Sequence, residues 1–189
     1  MAGFGYLRSA NRDRYSSPED AGPIGTTVWQ VQLPGNPAIN TGIVCAPTTN
    51  YLPQGGPGSS PPGKVATVYF GSDDGYLNAV AINEYRSAQL EWRFPAEVEG
   101  VRSPVRSSPT LVKFSSGSDD WGICFGADNG RVYCIRDMGD EPALVWRSAP
   151  LGEEGSKVRA GPLFRGGKAK ADPEPGQTAS IVLVGAISI

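Results

Sequence analysis

A chain of 189 residues with 39% hydrophobic and 19% charged residues is long enough to bury one core and too apolar to stay disordered. Its net charge of −2 gives no global electrostatic drive toward nucleic acid or an anionic membrane. Histidine is absent and the three cysteines form no CxxC, which argues against an ordinary Cys/His zinc site and removes any Ser–His or Cys–His catalytic pair from the chain.

Glycine (25) and proline (17) are abundant. Pro removes a backbone donor and Gly is entropically costly inside a helix, so this composition predicts short strands and many tight turns. No run of about 18 apolar residues is present to span a bilayer as a helix. Met1 to Arg14 mixes Gly, Tyr, Arg and Asn and lacks the apolar core of a secretory signal. Residues 1–24 read as an extension, and Thr27-Val28-Trp29 as an isolated strand carrying a tryptophan.

A repeat then begins. Its first round has a short strand ending in proline, Ile43-Val44-Cys45-Ala46-Pro47, and an apolar strand running into glycine, Val68-Tyr69-Phe70-Gly71. A turn and return strand follow from Ser72 to Val80, and then a strand ending in Trp92. The second round reads Val105-Arg106-Ser107-Ser108-Pro109, Ile123-Cys124-Phe125-Gly126, Ala127 to Ile135, and Ala143-Leu144-Val145-Trp146. A third starts at Val158-Arg159-Ala160-Gly161-Pro162 and reaches Val182-Leu183-Val184-Gly185. Asp73-Asp74-Gly75 and Asp128-Asn129-Gly130 carry hairpin-turn chemistry, since Gly and Asn tolerate positive φ. Units of four short strands repeating at about 55 residues predict an all-β fold, a β-propeller of four-stranded antiparallel blades. The blades fall at about 39–92, 101–146 and 158–189, so the expectation is about two and a half blades, completed by further chain or by a partner.

Trp29, Trp92 and Trp146 recur with the repeat and mark equivalent strands. Trp121 is outside that register, at the start of a strand, and is the best single candidate for an interaction anchor. Lys157, Arg159, Arg165, Lys168 and Lys170 form a local basic patch, read first as a solvated loop and otherwise as a contact for an acidic partner. The loops Asn50 to Lys64 and Arg165 to Thr178 occupy the same place in their units and so emerge on one face, which is expected to contact a protein partner. The adjacent carboxylates Asp73/Asp74 and Asp119/Asp120 read as turn residues, since two supply too few oxygens for a calcium sphere. Cys124 and Cys134 fall on adjacent strands. With three residues in the turn they stand directly opposite; with two, Cys134 faces Phe125. The reading is of buried free thiols acting as small apolar groups.

The stretch Val68 to Ala79, with its Gly-Ser-Asp-Asp-Gly, resembles the quinoprotein, or PQQ-like, propeller repeat. In that family a small Ala and a Trp dock neighbouring blades, and the matching positions are Ala79 with Trp92 and Cys134 with Trp146. Asn11 to Pro18 is similar to the R-Y-S-P stretch that opens quinoprotein alcohol dehydrogenases. The resemblance implies a propeller and raises PQQ with calcium as a cofactor. In the family a Glu commonly stands three residues before the Pro of the first blade's inner strand; here that position is Val44, and no adjacent cysteine pair is present. The function expected is therefore a non-catalytic interaction or scaffold module with no cofactor. The alternative is the N-terminal part of a PQQ-dependent alcohol dehydrogenase. Fold resemblance alone does not carry function.

Overall fold

The computed structural model describes residues 6–10, 27–47, 64–83, 87–113, 121–139, 141–164, 181–183 and 186–187. Those residues form antiparallel strands joined by turns, with no helix among them. The strands are β1 (Tyr6–Ala10), β2 (Thr27–Gln32), β3 (Val44–Pro47), β4 (Lys64–Gly71), β5 (Tyr76–Asn83), β6 (Ala88–Pro95), β7 (Glu97–Val98), β8 (Val101–Arg102), β9 (Thr110–Lys113) and β10 (Trp121–Gly126). They continue with β11 (Val132–Asp137), β12 (Pro142–Arg147), β13 (Lys157–Val158), β14 (Pro162–Phe164), β15 (Ile181–Leu183) and β16 (Ala186–Ile187). No helix among the described residues is long and apolar enough to cross a membrane.

Two four-stranded sheets, each a simple meander, dominate. The first runs β3-β4-β5-β6 and the second β9-β10-β11-β12. Their central strands are apolar runs buried on both faces: Thr67 through Gly71 in β4 and Gly122 through Gly126 in β10. Strands that alternate apolar and polar bury one face, whereas these continuous runs sit between neighbours on both sides. Hairpin chemistry sets the register. In the first sheet Ser72 N donates to Tyr76 O and Gly75 N to Ser72 O, with Gly75 at φ 88°. In the second, Ala127 N donates to Arg131 O and Gly130 N to Ala127 O, with Gly130 at φ 74°. Both are three-residue loops closed by a left-handed glycine.

The outer strands also match. Ala79 pairs with Trp92 and Cys134 with Trp146, and the ladder is irregular immediately after each pair, at Ala79/Val80 and at Cys134/Ile135. The same anomaly at the same place in both sheets makes the two units structurally equivalent, with Gly71 matching Gly126 and Tyr69 matching Cys124. That equivalence corrects the first landmark of the sequence repeat. Val44 pairs with Tyr69 and Thr110 with Cys124, so Val44 matches Thr110 and the counterpart of Pro109 is Ile43, not Pro47. The prolines mislead because neither supplies a ladder hydrogen bond; either place at a strand end suits a residue without an N–H.

Three smaller pairings flank the sheets: β1 with β2, β14 with β15, and β13 with β16. Tyr6–Ala10, inside the stretch read as a leading extension, thus pairs with the Trp29 strand. A short hairpin, β7-β8, separates the two sheets in sequence, with Glu99 (φ 51°) and Gly100 (φ 81°) at its tip. Two consecutive left-handed residues make a turn whose twist suits a two-residue hairpin.

The main core lies between the sheets. Tyr69, Leu77, Ala79, Trp92 and Ala96 of the first unit pack with Val105, Ile123, Phe125, Tyr133 and Ile135. Phe94 of β6 meets Phe125 and Tyr133 edge-on, at centroid distances of 6.2 and 6.4 Å, while those two rings stack at 5.3 Å. A second cluster repeats the arrangement one step earlier, with Val31, Leu33 and Trp29 against Val68, Phe70 and Val80. A third holds Val112, Cys124 and Cys134 under Trp146. Trp29, Trp92 and Trp146 thus each belong to a cluster on the sheet that follows or carries them.

Candidate interaction face

The strand order places the β4–β5 and β10–β11 turns on the same edge of the sheets as the segments leading into β3 and β9. On this edge each turn is tied twice by backbone. Asp73 N donates to Ala38 O and Asp128 N to Pro104 O, both at 2.9 Å. Val105 N donates to Ser72 O and Val158 N to Ala127 O, both at 3.1 Å. Residues 104–105 therefore hydrogen-bond the turn of the preceding unit and the turn of their own. A hydroxyl closes each joint: Thr41 Oγ1 accepts from Gly71 N at 3.0 Å, and Ser107 Oγ accepts from Gly126 N at 2.6 Å. The glycines are required by this approach. A Cβ on Gly126 would lie 2.8 Å from the Val158 carbonyl oxygen, and one on Gly71 would lie 2.9 Å from Thr41 Cγ2.

Side chains build a charged ladder over these joints. Arg106 donates from Nε to Asp73 Oδ1 at 2.8 Å, from Nη2 to Asp73 Oδ2 at 3.1 Å, and from Nη1 to Asp128 Oδ2 at 2.9 Å. Arg159 donates from Nε and Nη2 to the two oxygens of Asp128, both at 3.1 Å. Asn40, at the place equivalent to Arg106, donates to Asp73 at 3.0 Å. Each turn aspartate thus accepts a fork from the arginine of the next unit and one bond from its own leading segment. A bidentate guanidinium–carboxylate pair fixes geometry as well as charge. The Arg106 hydrogen bond, followed by the opposing effect of partial burial and the guanidinium's charge, holds the Asp73 carboxyl below the usual carboxylate range. Asp73 lifts the Arg106 guanidinium higher still.

Beside the ladder, Ser72 Oγ donates to Asp74 Oδ1 at 2.6 Å, and Arg93 forms an ion pair with Asp74. Arg93 also lies over the Tyr76 ring at 3.9 Å, and Arg102 lies over the same ring at 4.9 Å while donating to its hydroxyl at 2.5 Å. Val101, next to Arg102, is 72% exposed. Tyr76 is thus flanked by two guanidinium groups, a cation–π arrangement on both sides of one ring.

Between the sheets, Asp137 receives Trp92 Nε1 at 3.1 Å and the Tyr69 hydroxyl, so one carboxylate of the second unit anchors two aromatic donors of the first. Burial, reinforced by the hydrogen bond to Asp137, raises the Tyr69 phenol far above its ordinary value, so it remains a neutral donor.

The residues singled out from sequence fall as follows. Ala79 and Trp92 are buried opposite each other at the inter-sheet core, and Trp146 is half-buried over the cysteine pair. Trp121 opens β10, its backbone opposite Lys113. Arg165, Lys168 and Lys170 lie outside the described residues, as do most of loop 50–64 and all of loop 165–178. Arg159 does not belong to a solvated basic loop; it is held by Asp128. Asp73 and Asp74 are turn residues engaged by arginine, and Asp119 and Asp120 lie outside the described residues. Cys124 and Cys134 are not free thiols: the three-residue turn sets them directly opposite and they are joined as a disulfide. Cys45 is free and exposed.

Val44, the position matched to the glutamate of the resembling family, packs against the main core, and the Asn40 amide serves Asp73. Among the described residues, no three His, Cys, Asp or Glu side chains cluster as metal ligands. No protein-family model matches the chain, and no curated protein matches it.

Proposed function

We propose that this chain belongs to a β-propeller of the quinoprotein-like type and acts as a non-catalytic interaction module. One observation carries the reading: the joint between successive units is built twice from the same parts. The Arg106 fork on Asp73 is repeated by Arg159 on Asp128, and the Val105–Ser72 backbone bond by Val158–Ala127. Units related by a constant step around an axis make such identical joints, as blades of a propeller do. The innermost strands support the same geometry, since Gly42 N donates to Ser108 Oγ at 3.0 Å and Thr110 Oγ1 to Pro162 O between neighbouring units.

The polar groups of the turn face serve the joints, which favours a structural part for its carboxylates and leaves contact with other proteins to the loops and the Tyr76–Arg102 patch. A partner captured by the wild-type chain and lost from a variant lacking the loops 50–64 and 165–178 supports the module. The test against the quinoprotein alternative is reconstitution with PQQ and calcium, followed by cofactor absorbance and dye-linked alcohol oxidation. No absorbance change and no turnover is the expected result; dehydrogenase activity would overturn the non-catalytic reading.

A further inference from the structure

The cysteine pair occupies an unusual place in the repeat. Cys124 and Cys134 are 0% and 2% exposed and face each other across β10 and β11 beneath Trp146. The turn-closing pair Ala127–Arg131 is hydrogen-bonded, and bonded and open pairs alternate along an antiparallel ladder, so Phe125–Tyr133 is a bonded pair and Cys124–Cys134 an open one. The sheet holds the two Cα atoms 4.1 Å apart. That spacing is natural for an open antiparallel pair and lies just short of the range disulfides usually span. In the first unit the equivalent residues are Tyr69 and Ala79, which cannot be linked, yet that sheet has the same strand order, the same turn and the same irregularity before its tryptophan. The bond is therefore not what makes the sheet.

We propose that Cys124 and Cys134 form a reversible thiol–disulfide couple whose state sets the packing of Trp146 on the outer strand of the second sheet. Reduction takes two small thiols. The thiolate of the first attacks one cysteine sulfur, forming a mixed disulfide and releasing the other cysteine as thiolate. The second attacks the mixed disulfide, releasing the small-molecule disulfide and the remaining cysteine; two protons from solvent complete the thiols. Two unbonded sulfurs need van der Waals separation where the bond needs far less, and both cysteines are buried. Trp146, half-buried above the pair, is the side chain that yields. Trp146 packs against the cluster that holds both cysteines, so the proposal has exchange speed up when that side chain is removed. The couple does not depend on the proposed function.

The test uses the full chain with Cys45→Ser, equilibrated in glutathione buffers from fully oxidised to fully reduced, then alkylated and weighed. The expected result is a protected pair in oxidised buffer and two alkylations appearing together on reduction. Tryptophan emission should rise in step as the quenching disulfide disappears, and circular dichroism should be unchanged. Trp146→Phe should keep the mass change and lose the emission change, and Trp146→Ala should speed reduction several-fold. A pair that stays alkylatable in oxidised buffer, a bond that persists in reduced buffer, loss of the strand signal on reduction, or an emission change retained in Trp146→Phe would each overturn the proposal.

Discussion

Arg106 is the joint on which the charged ladder turns, and its removal touches both turn carboxylates. It makes three charge-assisted bonds to two carboxylates, with its side chain 32% exposed and Asp128 only 7% exposed. Fully buried charged bonds contribute about 1.5–3 kcal/mol each, while exposed ion pairs contribute about 0.2–1 kcal/mol. Arg106→Ala leaves neither carboxylate stranded, because Asn40 still serves Asp73 and Arg159 still forks Asp128. The expected loss is therefore about 1–2 kcal/mol, or a fall in Tm of about 3–6 °C for a chain of this size. A double-mutant cycle of Arg106→Ala with Asp73→Ala, followed by urea unfolding, should return a coupling near 1 kcal/mol that shrinks in molar salt.

The pH dependence has a definite sign. Arg106 depresses the Asp73 carboxyl in the folded state, so its contribution is fully present above the unfolded value of about 4 and is lost as pH falls through the lower folded value. Wild type and Arg106→Ala should thus converge in stability in acid. A coupling within about 0.3 kcal/mol of zero, or curves that stay parallel into acid, would refute the ladder as an energetic joint.

Three further outcomes follow from the same geometry. Trp92→Phe keeps an aromatic ring of smaller size and loses the bond to Asp137, costing about 1–2 kcal/mol, whereas Trp92→Ala empties the core site and should cost about 3–5 kcal/mol in denaturant titrations. Gly126→Ala forces a Cβ onto Val158 and should destabilise by about 1–3 kcal/mol, while the same change at Gly139, where nothing lies within 4 Å, is limited to the strain of its positive φ. Glu99→Gly relieves a left-handed non-glycine residue at the β7–β8 tip and should raise stability by up to about 1 kcal/mol, read as a higher Tm.

Much of the strand plan is legible in the chain because it is locally encoded. Apolar runs ending in glycine, followed by Asp-Asp-Gly or Asp-Asn-Gly, specify the β4–β5 and β10–β11 hairpins by residues that touch each other along the sequence. The ladder is not legible in this way. Arg106 looks like any surface arginine until folding brings Asp73, 33 residues earlier, beside it. Asp137 is equally opaque, since its partners Trp92 and Tyr69 belong to the other sheet. The slip from Ile43 to Pro47 has a plainer origin: a proline at a strand end is permitted in several places, and only pairing with β4 decides which. Whether the two cysteines face each other hinges on one residue of turn length, which composition does not settle and the left-handed Gly130 does.

The double engagement of residues 104–105 has a kinetic corollary. Their main chain is a strap shared by two sheets, with Val105 N on Ser72 O and Pro104 O on Asp128 N. Neither sheet can open there without stripping a partner from the other, so fluctuations that expose one should expose both. Amide exchange at Val105 and Asp128 would then slow to the rate of global opening, and a protease would find no intermediate with one sheet melted and its neighbour intact.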